Sequence, residues 1–191
     1  MPRKADLDNR LRLLDAALDY VAAHGIAHLS LRPLAQSLGV SPAILLYHFQ
    51  SKEGLVVELL KRAGDRQRIL FERLGDNEHR AAEDVCRRAW RVLSDPGAQP
   101  LFRLFFEVYG LALQDRMRFP GFFPDAVSNW LRFLEAPALR EGASKTEARK
   151  RATIILAGFR GFLLDLCATG ERKRIDGAVE AWIASLASIP A

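Results

Sequence analysis

The sequence predicts an all-α fold of about nine helices. Three observations carry that prediction. Apolar residues recur at helical spacing along almost the whole chain. No segment of useful length alternates apolar and polar residues with β-branched enrichment, so no strands are required. Capping residues, glycines and prolines punctuate the helical runs where starts and stops are needed.

The first helix starts near Asp6 or Asp8, and Leu11, Leu14, Leu18, Val21 and Ala22 share one face until Gly25 ends it. Ser30 caps a short second helix with Leu31, Leu34, Ala35 and Leu38 on one side and Pro33 in its first turn. Gly39 stops it. Ser41 and Pro42 open a third helix that reaches His48 or Phe49. Ser51 caps a long fourth helix, 52–74, broken by Gly75-Asp76-Asn77. A fifth runs from Glu78 to Leu93, and residues 95–100 form a loop. The sixth spans 101–117. Phe119-Pro120-Gly121 interrupts, and the seventh reaches Leu134, ending near Ala136-Pro137. Ser144 and Glu147 form a capping box for the eighth, which extends to Ala168 before Gly170. The ninth covers 175–189.

Composition narrows the class. A length of 191 residues allows one or two small domains. With 49% hydrophobic and 27% charged residues, the chain can bury an ordinary core, which excludes general disorder. No run approaches about 18 uncharged apolar residues, so no membrane span is expected. Met1-Pro2-Arg3-Lys4-Ala5-Asp6 lacks an apolar signal region. Cys86 and Cys167 stand far apart without metal-ligand spacing, so neither a disulfide framework nor a zinc module is expected, and the cytoplasm is the expected compartment. The net charge of +5 is compatible with an anionic partner. Segment 1–62 holds eight basic and six acidic residues, so pattern rather than charge density must carry any nucleic-acid argument.

Enzyme signatures are missing. There is no Gly-x-Ser-x-Gly, no phosphate-binding Gly-Lys-Ser/Thr and no dinucleotide fingerprint. His24, His28, His48 and His79 form no ligand pattern, and no metal or cofactor is expected.

The informative stretch is SLRPLAQSLGVSPAILLYHFQSKEGL, residues 30–55. It describes two short helices joined by a tight glycine-containing turn, a helix-turn-helix. Ala35 is small enough for the second helix to cross closely, Gly39 permits the left-handed turn, and Val40 plugs the angle. Leu34, Leu38, Leu45 and Phe49 anchor the pair on the first helix. The outer face of the third helix is then free to enter a major groove.

This segment resembles the DNA-binding domain of TetR-family transcriptional regulators. The resemblance rests on Gly25, Ser30, Leu34-Ala35, Gly39-Val40-Ser41, Tyr47-His48-Phe49 and Ser51-Lys52-Glu53-Gly54-Leu55, and covers about residues 8–60. It implies a helix-turn-helix DNA-binding domain at 1–50 and a helical effector-binding and dimerisation domain at 51–191, linked by helix 51–74. It also implies DNA contacts at Ser30, Arg32, Ser41, Pro42, Ala43, Ile44, Leu46, Tyr47, His48 and Lys52. Leu46 departs from the family, which commonly has tyrosine there. Pro42, Ala43 and Ile44 offer no side-chain hydrogen bonds. Readout therefore leans on thymine methyls, Arg32 and DNA shape.

Nine of the seventeen aromatics fall between Phe102 and Phe133. They fill the region where the resembled family holds a small molecule. Phe102, Phe105, Phe106, Tyr109, Phe122, Phe123 and Trp130 are expected to line a largely apolar effector site, with Arg103 and Asn129 among its polar groups. The bland alternative is a solid aromatic core. The eighth and ninth helices carry wider apolar bands than one buried face needs. Ile155, Phe159, Phe162, Leu163, Leu166, Val179, Trp182, Ile183 and Leu186 are expected in a homodimer interface. A dimer suits a pseudo-palindromic DNA operator, and the resemblance favours a repressor released by its effector. A reading from another class is a helical small-molecule-binding protein or enzyme that uses the N-terminal motif only for packing.

Overall fold

The computed structural model describes residues 4–24, 29–75 and 82–186, and every regular element among them is helical. α1 (Lys4–His24) starts slightly earlier than the acidic caps suggest. Its expected stop, Gly25, lies outside the described residues. α2 (Leu31–Ser37) follows Ser30, whose backbone is extended. The turn after α2 forms as its composition requires. Gly39 adopts φ 66°, and the Val40 N–H donates to the Ala35 carbonyl at 2.9 Å. α3 (Pro42–Phe49) is capped by the Ser41 hydroxyl, which accepts from the Ile44 N–H at 3.4 Å. α4 (Lys52–Gly75) is capped by the Ser51 hydroxyl, which accepts from the Gly54 N–H at 2.9 Å.

α5 is described over Ala82–Leu93, and its expected start at Glu78 lies outside the described residues. Residues 95–100 are more ordered than a loop. The Asp95 carboxylate accepts from the Gly97 N–H at 2.8 Å and shapes a single 3₁₀ turn, Pro96–Ala98. α6 (Gln99–Gln114) then begins with Pro100 inside its first turn, where a missing N–H is harmless. It stops before Met117 because Asp115 turns extended and its carboxylate accepts from the Met117 N–H at 2.9 Å.

The next segment departs most from expectation. A wide π-helical stretch, Pro124–Asn129, leads directly into α7 (Trp130–Arg140). Pro137 does not end α7 but sits inside it. Its lost backbone bond is tolerated because α7 packs along α8 and buries Leu131 and Ala138. α8 (Lys145–Thr169) forms half of its capping box. The Glu147 N–H donates to the Ser144 hydroxyl at 3.2 Å, while Glu147 Oε2 is buried without a partner. Gly170 closes α8 in the left-handed conformation, and α9 (Arg172–Leu186) begins three residues before Ile175.

Two apolar cores result. The first joins α1 to α4 with α6, Phe119, Phe122 and the π-helical Ala126, and so does not stop at residue 50. The second joins α5, α8 and α9. Polar clasps reinforce the second: Trp90 Nε1 donates to Asp176 at 2.7 Å, and Arg172 donates to the Ser94 carbonyl at 2.6 Å and its hydroxyl at 2.9 Å.

The second core already engages the side chains expected at a dimer interface. Phe159, Leu163, Leu166, Val179 and Ile183 are buried in it, and Ile155, Phe162, Trp182 and Leu186 pack half-buried against it. The five buried ones are covered within the chain, where α5 packs against α9 and α8 packs against α9, α6 and α7. The opposite face is built of small residues: Ala157, Gly161 and Ala168 on α8 with Gly177, Ala178, Ala181 and Ala184 on α9 are exposed, around Leu164 at 51% exposure. α8 is also long and apolar enough to cross a membrane by length and composition, although it carries Arg160 and Asp165.

Candidate nucleic-acid interface and effector cavity

α3 has two distinct faces. Leu45 and Phe49 are buried against α1 and α4. Ala43, Ile44, Leu46 and Tyr47 are exposed, with Tyr47 at 74% and Leu46 at 42%. Ser30, Arg32, Ser41 and Lys52 are exposed as well, and Pro42 is half-buried at the first position of α3. These residues border one rod with an apolar tip and a flanking cation at each side. A helix of this kind fits a major groove, with apolar side chains available for thymine methyls and Arg32 and Lys52 for phosphates.

His48 is the exception among the expected contacts. Its side chain is only 5% exposed, and its Nδ1 lies 3.9 Å from the Asp6 carboxylate of α1. One residue after Tyr47 on a helix, it points about 100° around the axis, toward the α1 side. It holds α3 in place rather than standing with the exposed set.

The rod is well braced. Arg10 of α1 donates to Glu58 of α4 at 2.7 Å, and its guanidinium lies 5.4 Å from the centre of the Phe49 ring. Asp15 accepts from Arg62 at 2.7 and 3.0 Å and pairs with Arg66 at 2.8 Å. The Arg62 hydrogen bond holds the Asp15 carboxyl below its ordinary range. α3 therefore sits against the first turns of α4, and α4 is strapped to α1.

A cavity of about 1080 Å³ opens beyond this brace, between the two cores. α4 contributes Val57, Leu60, Gly64 and Arg68 to its wall; α6 contributes Phe102, Phe105 and Phe106. Phe122, Ala126, Trp130 and Phe133 close one side, and Phe159, Arg160 and Leu163 of α8 another. Cys86 of α5 also lines it, and burial pushes that thiol up to about 11, so it is neutral. Five expected residues, Phe102, Phe105, Phe106, Phe122 and Trp130, are on this wall.

Four are not. Tyr109 is wedged between Phe105, Phe122 and Phe123, and Phe123 also lies under Arg116. Arg103 is exposed to solvent. Asn129 is engaged by Asp125 and Arg132. The π-helical geometry accounts for Asn129, since a wider turn rotates side chains away from the positions α-helical spacing assigns. Sequence reasoning in turn missed Arg160, Arg68 and Asp125. Arg160 did leave a signal: it is a lone cation within the apolar run 152–164.

Among the described residues no group of three or more His, Cys, Asp or Glu is placed to hold a metal ion.

Residues 13–59 match the model of the family described as bacterial regulatory proteins, tetR family. These residues contain the exposed rod, together with Asp15 and Glu58 of its bracing. The match covers about a quarter of the chain, and within it this segment is similar to the tetR family of bacterial regulatory proteins. A stretch of this chain is 43% identical over 53 residues to the HTH-type transcriptional regulatory protein RaaS of Mycobacterium tuberculosis (strain ATCC 25618 / H37Rv), covering 28% of this chain and 24% of RaaS. It is 27% identical over 180 residues to the HTH-type transcriptional regulator BetI of Rhizobium meliloti (strain 1021), covering 93% of this chain and 75% of BetI. The match therefore spans about a quarter of RaaS and three quarters of BetI. Among solved structures, the chain is similar to the multidrug binding protein EbrR complexed with imidazole. That similarity has a TM-score of 0.68 at 25% identity and covers 100% of this chain and 95% of EbrR.

Proposed function

We propose that this protein is a TetR-family transcriptional regulator, a cytoplasmic repressor that leaves its operator when a small, largely apolar effector enters the cavity. One observation carries the reading: α4 belongs to both places. Its first turn abuts α3, and its Val57–Arg68 stretch lines the cavity. A ligand that prefers a different α4 position lowers operator affinity by its differential binding between the two states, and operator weakens ligand binding reciprocally. In this reading residues 1–50 read DNA and residues 51–191 sense the ligand. EbrR's description as a multidrug binding protein supports a ligand role for the corresponding domain.

The DNA contacts in this reading are Ser30, Arg32, Ser41, Ala43, Ile44, Leu46, Tyr47 and Lys52. A second copy docks on the small-residue face around Leu164, so that two α3 helices address a pseudo-palindrome. That face is lined by alanine and glycine, which lets helices approach closely.

Gel shift with the DNA upstream of its own coding region tests this reading. A retarded band at low salt is expected, and compounds that raise the melting temperature are expected to abolish it. No retardation at low ionic strength would overturn operator binding. Retardation indifferent to every stabilising compound would overturn effector release.

A further inference from the structure

Arg160 is a half-buried cation on the cavity wall. Its guanidinium donates to the Ala126 carbonyl of the π-helical stretch. It lies 5.4 Å from the centre of the Phe105 ring and 5.8 Å from that of Tyr109. Among the described residues no carboxylate comes within ion-pair distance of it. Burial works against its charged form, yet an arginine stays protonated under these conditions. A guanidinium carries five N–H donors, and aromatic faces stabilise a cation without neutralising it. The site thus holds a positive charge with spare donors beside an apolar chamber.

The surrounding charges favour the same sign of ligand. The wall has five basic side chains against three acidic ones. Asp125, the acid nearest this corner in sequence, already accepts from Asn129, and burial raises its pKa toward the neutral form. Arg68 is occupied by Asp65 and the Trp130 ring. Phe102, Phe105, Phe106 and Trp130 provide room for a ring system or an alkyl body.

We propose that the cavity takes an amphipathic organic anion, its carboxylate or sulfonate received by Arg160 and its apolar body held by the α6 phenylalanines and Trp130. This rests on the effector-cavity reading and adds the ligand's charge. The same guanidinium bonds the π-helical carbonyl, and that stretch packs against α4. An anion that engages Arg160 therefore acts on the element next to the DNA-linked helix.

Calorimetry on the full-length protein with three probes of one shape decides the matter: 2-naphthoate, 2-naphthamide and 2-naphthylmethylammonium. The wild type is expected to bind naphthoate at least about tenfold more tightly than the amide, the scale of a charge-assisted hydrogen bond, and the ammonium most weakly. Arg160→Met is expected to remove the naphthoate advantage while leaving amide binding within about twofold, and Arg160→Lys to keep part of it. The wild-type series stands even if Arg160→Met does not fold. Equal binding of amide and naphthoate, or preference for the ammonium, overturns the charge assignment and leaves the cavity reading intact. No binding of any probe overturns both.

Discussion

Trp182 of α9 lies directly on Gly158 of α8: a Cβ at Gly158 would stand 2.2 Å from the Trp182 ring. The indole cannot retreat, because Phe159 and Phe162 hold it at ring-centre distances of 5.2 and 5.5 Å. This contact fixes how α8 and α9 meet and therefore which faces are left for a partner.

Gly158→Ala is accordingly expected to destabilise the protein by about 1–3 kcal/mol through overpacking. Urea denaturation checks it, and a change under about 0.5 kcal/mol would contradict the close approach. Trp182→Arg and Phe162→Asp are expected to disrupt folding, not merely assembly, since both side chains pack on the second core.

Leu164→Arg, in contrast, alters a side chain that is half-exposed on the outer face. Helicity and monomer stability are expected to hold while sedimentation shows a monomer and operator affinity falls. A dimer of unchanged mass would place the partner elsewhere.

Lys52→Ala is expected to weaken DNA binding about equally on all sequences and to lower the slope of log affinity against log salt by about one. His48→Ala is expected to lower thermal stability and leave that slope unchanged, because the imidazole is turned toward Asp6. A salt slope altered by His48→Ala and not by Lys52→Ala would reverse the two roles.

Acid is expected to loosen α1 from α4. Asp15 has its pKa depressed, chiefly by the Arg62 hydrogen bond. Its contribution is therefore complete above the ordinary carboxylate pKa and is lost as pH falls below about 4 toward the depressed value. The pair is about one-third exposed, so solvent screening limits the effect to about 1 kcal/mol. Asp15→Asn is expected to flatten the stability profile in that window by a similar amount; an unchanged profile would show the pair to be energetically silent.

Residues 30–55 were legible because their information is local. Gly39, Ser41, Pro42 and Ser51 act on their own neighbours, and helical periodicity separates Leu45 and Phe49 from Ile44 and Tyr47 without reference to the rest of the chain. Periodicity also located the eighth and ninth helices and the aromatic wall at Phe102, Phe105 and Phe106.

Periodicity reports that a face is apolar but not what covers it. Phe159, Leu163 and Ile183 have the same signature whether α5 or a second copy lies on them, and only the packed structure shows that it is α5. His48 and Arg160 are likewise each a polar residue on a helix until neighbours surround them: Asp6 lies beside the first, and the second is left as a half-buried cation on the cavity wall. Helix positions, caps and the reading rod thus follow from near neighbours along the chain, whereas burial, pairing and cavity shape depend on contacts between distant segments, which the three-dimensional arrangement alone sets.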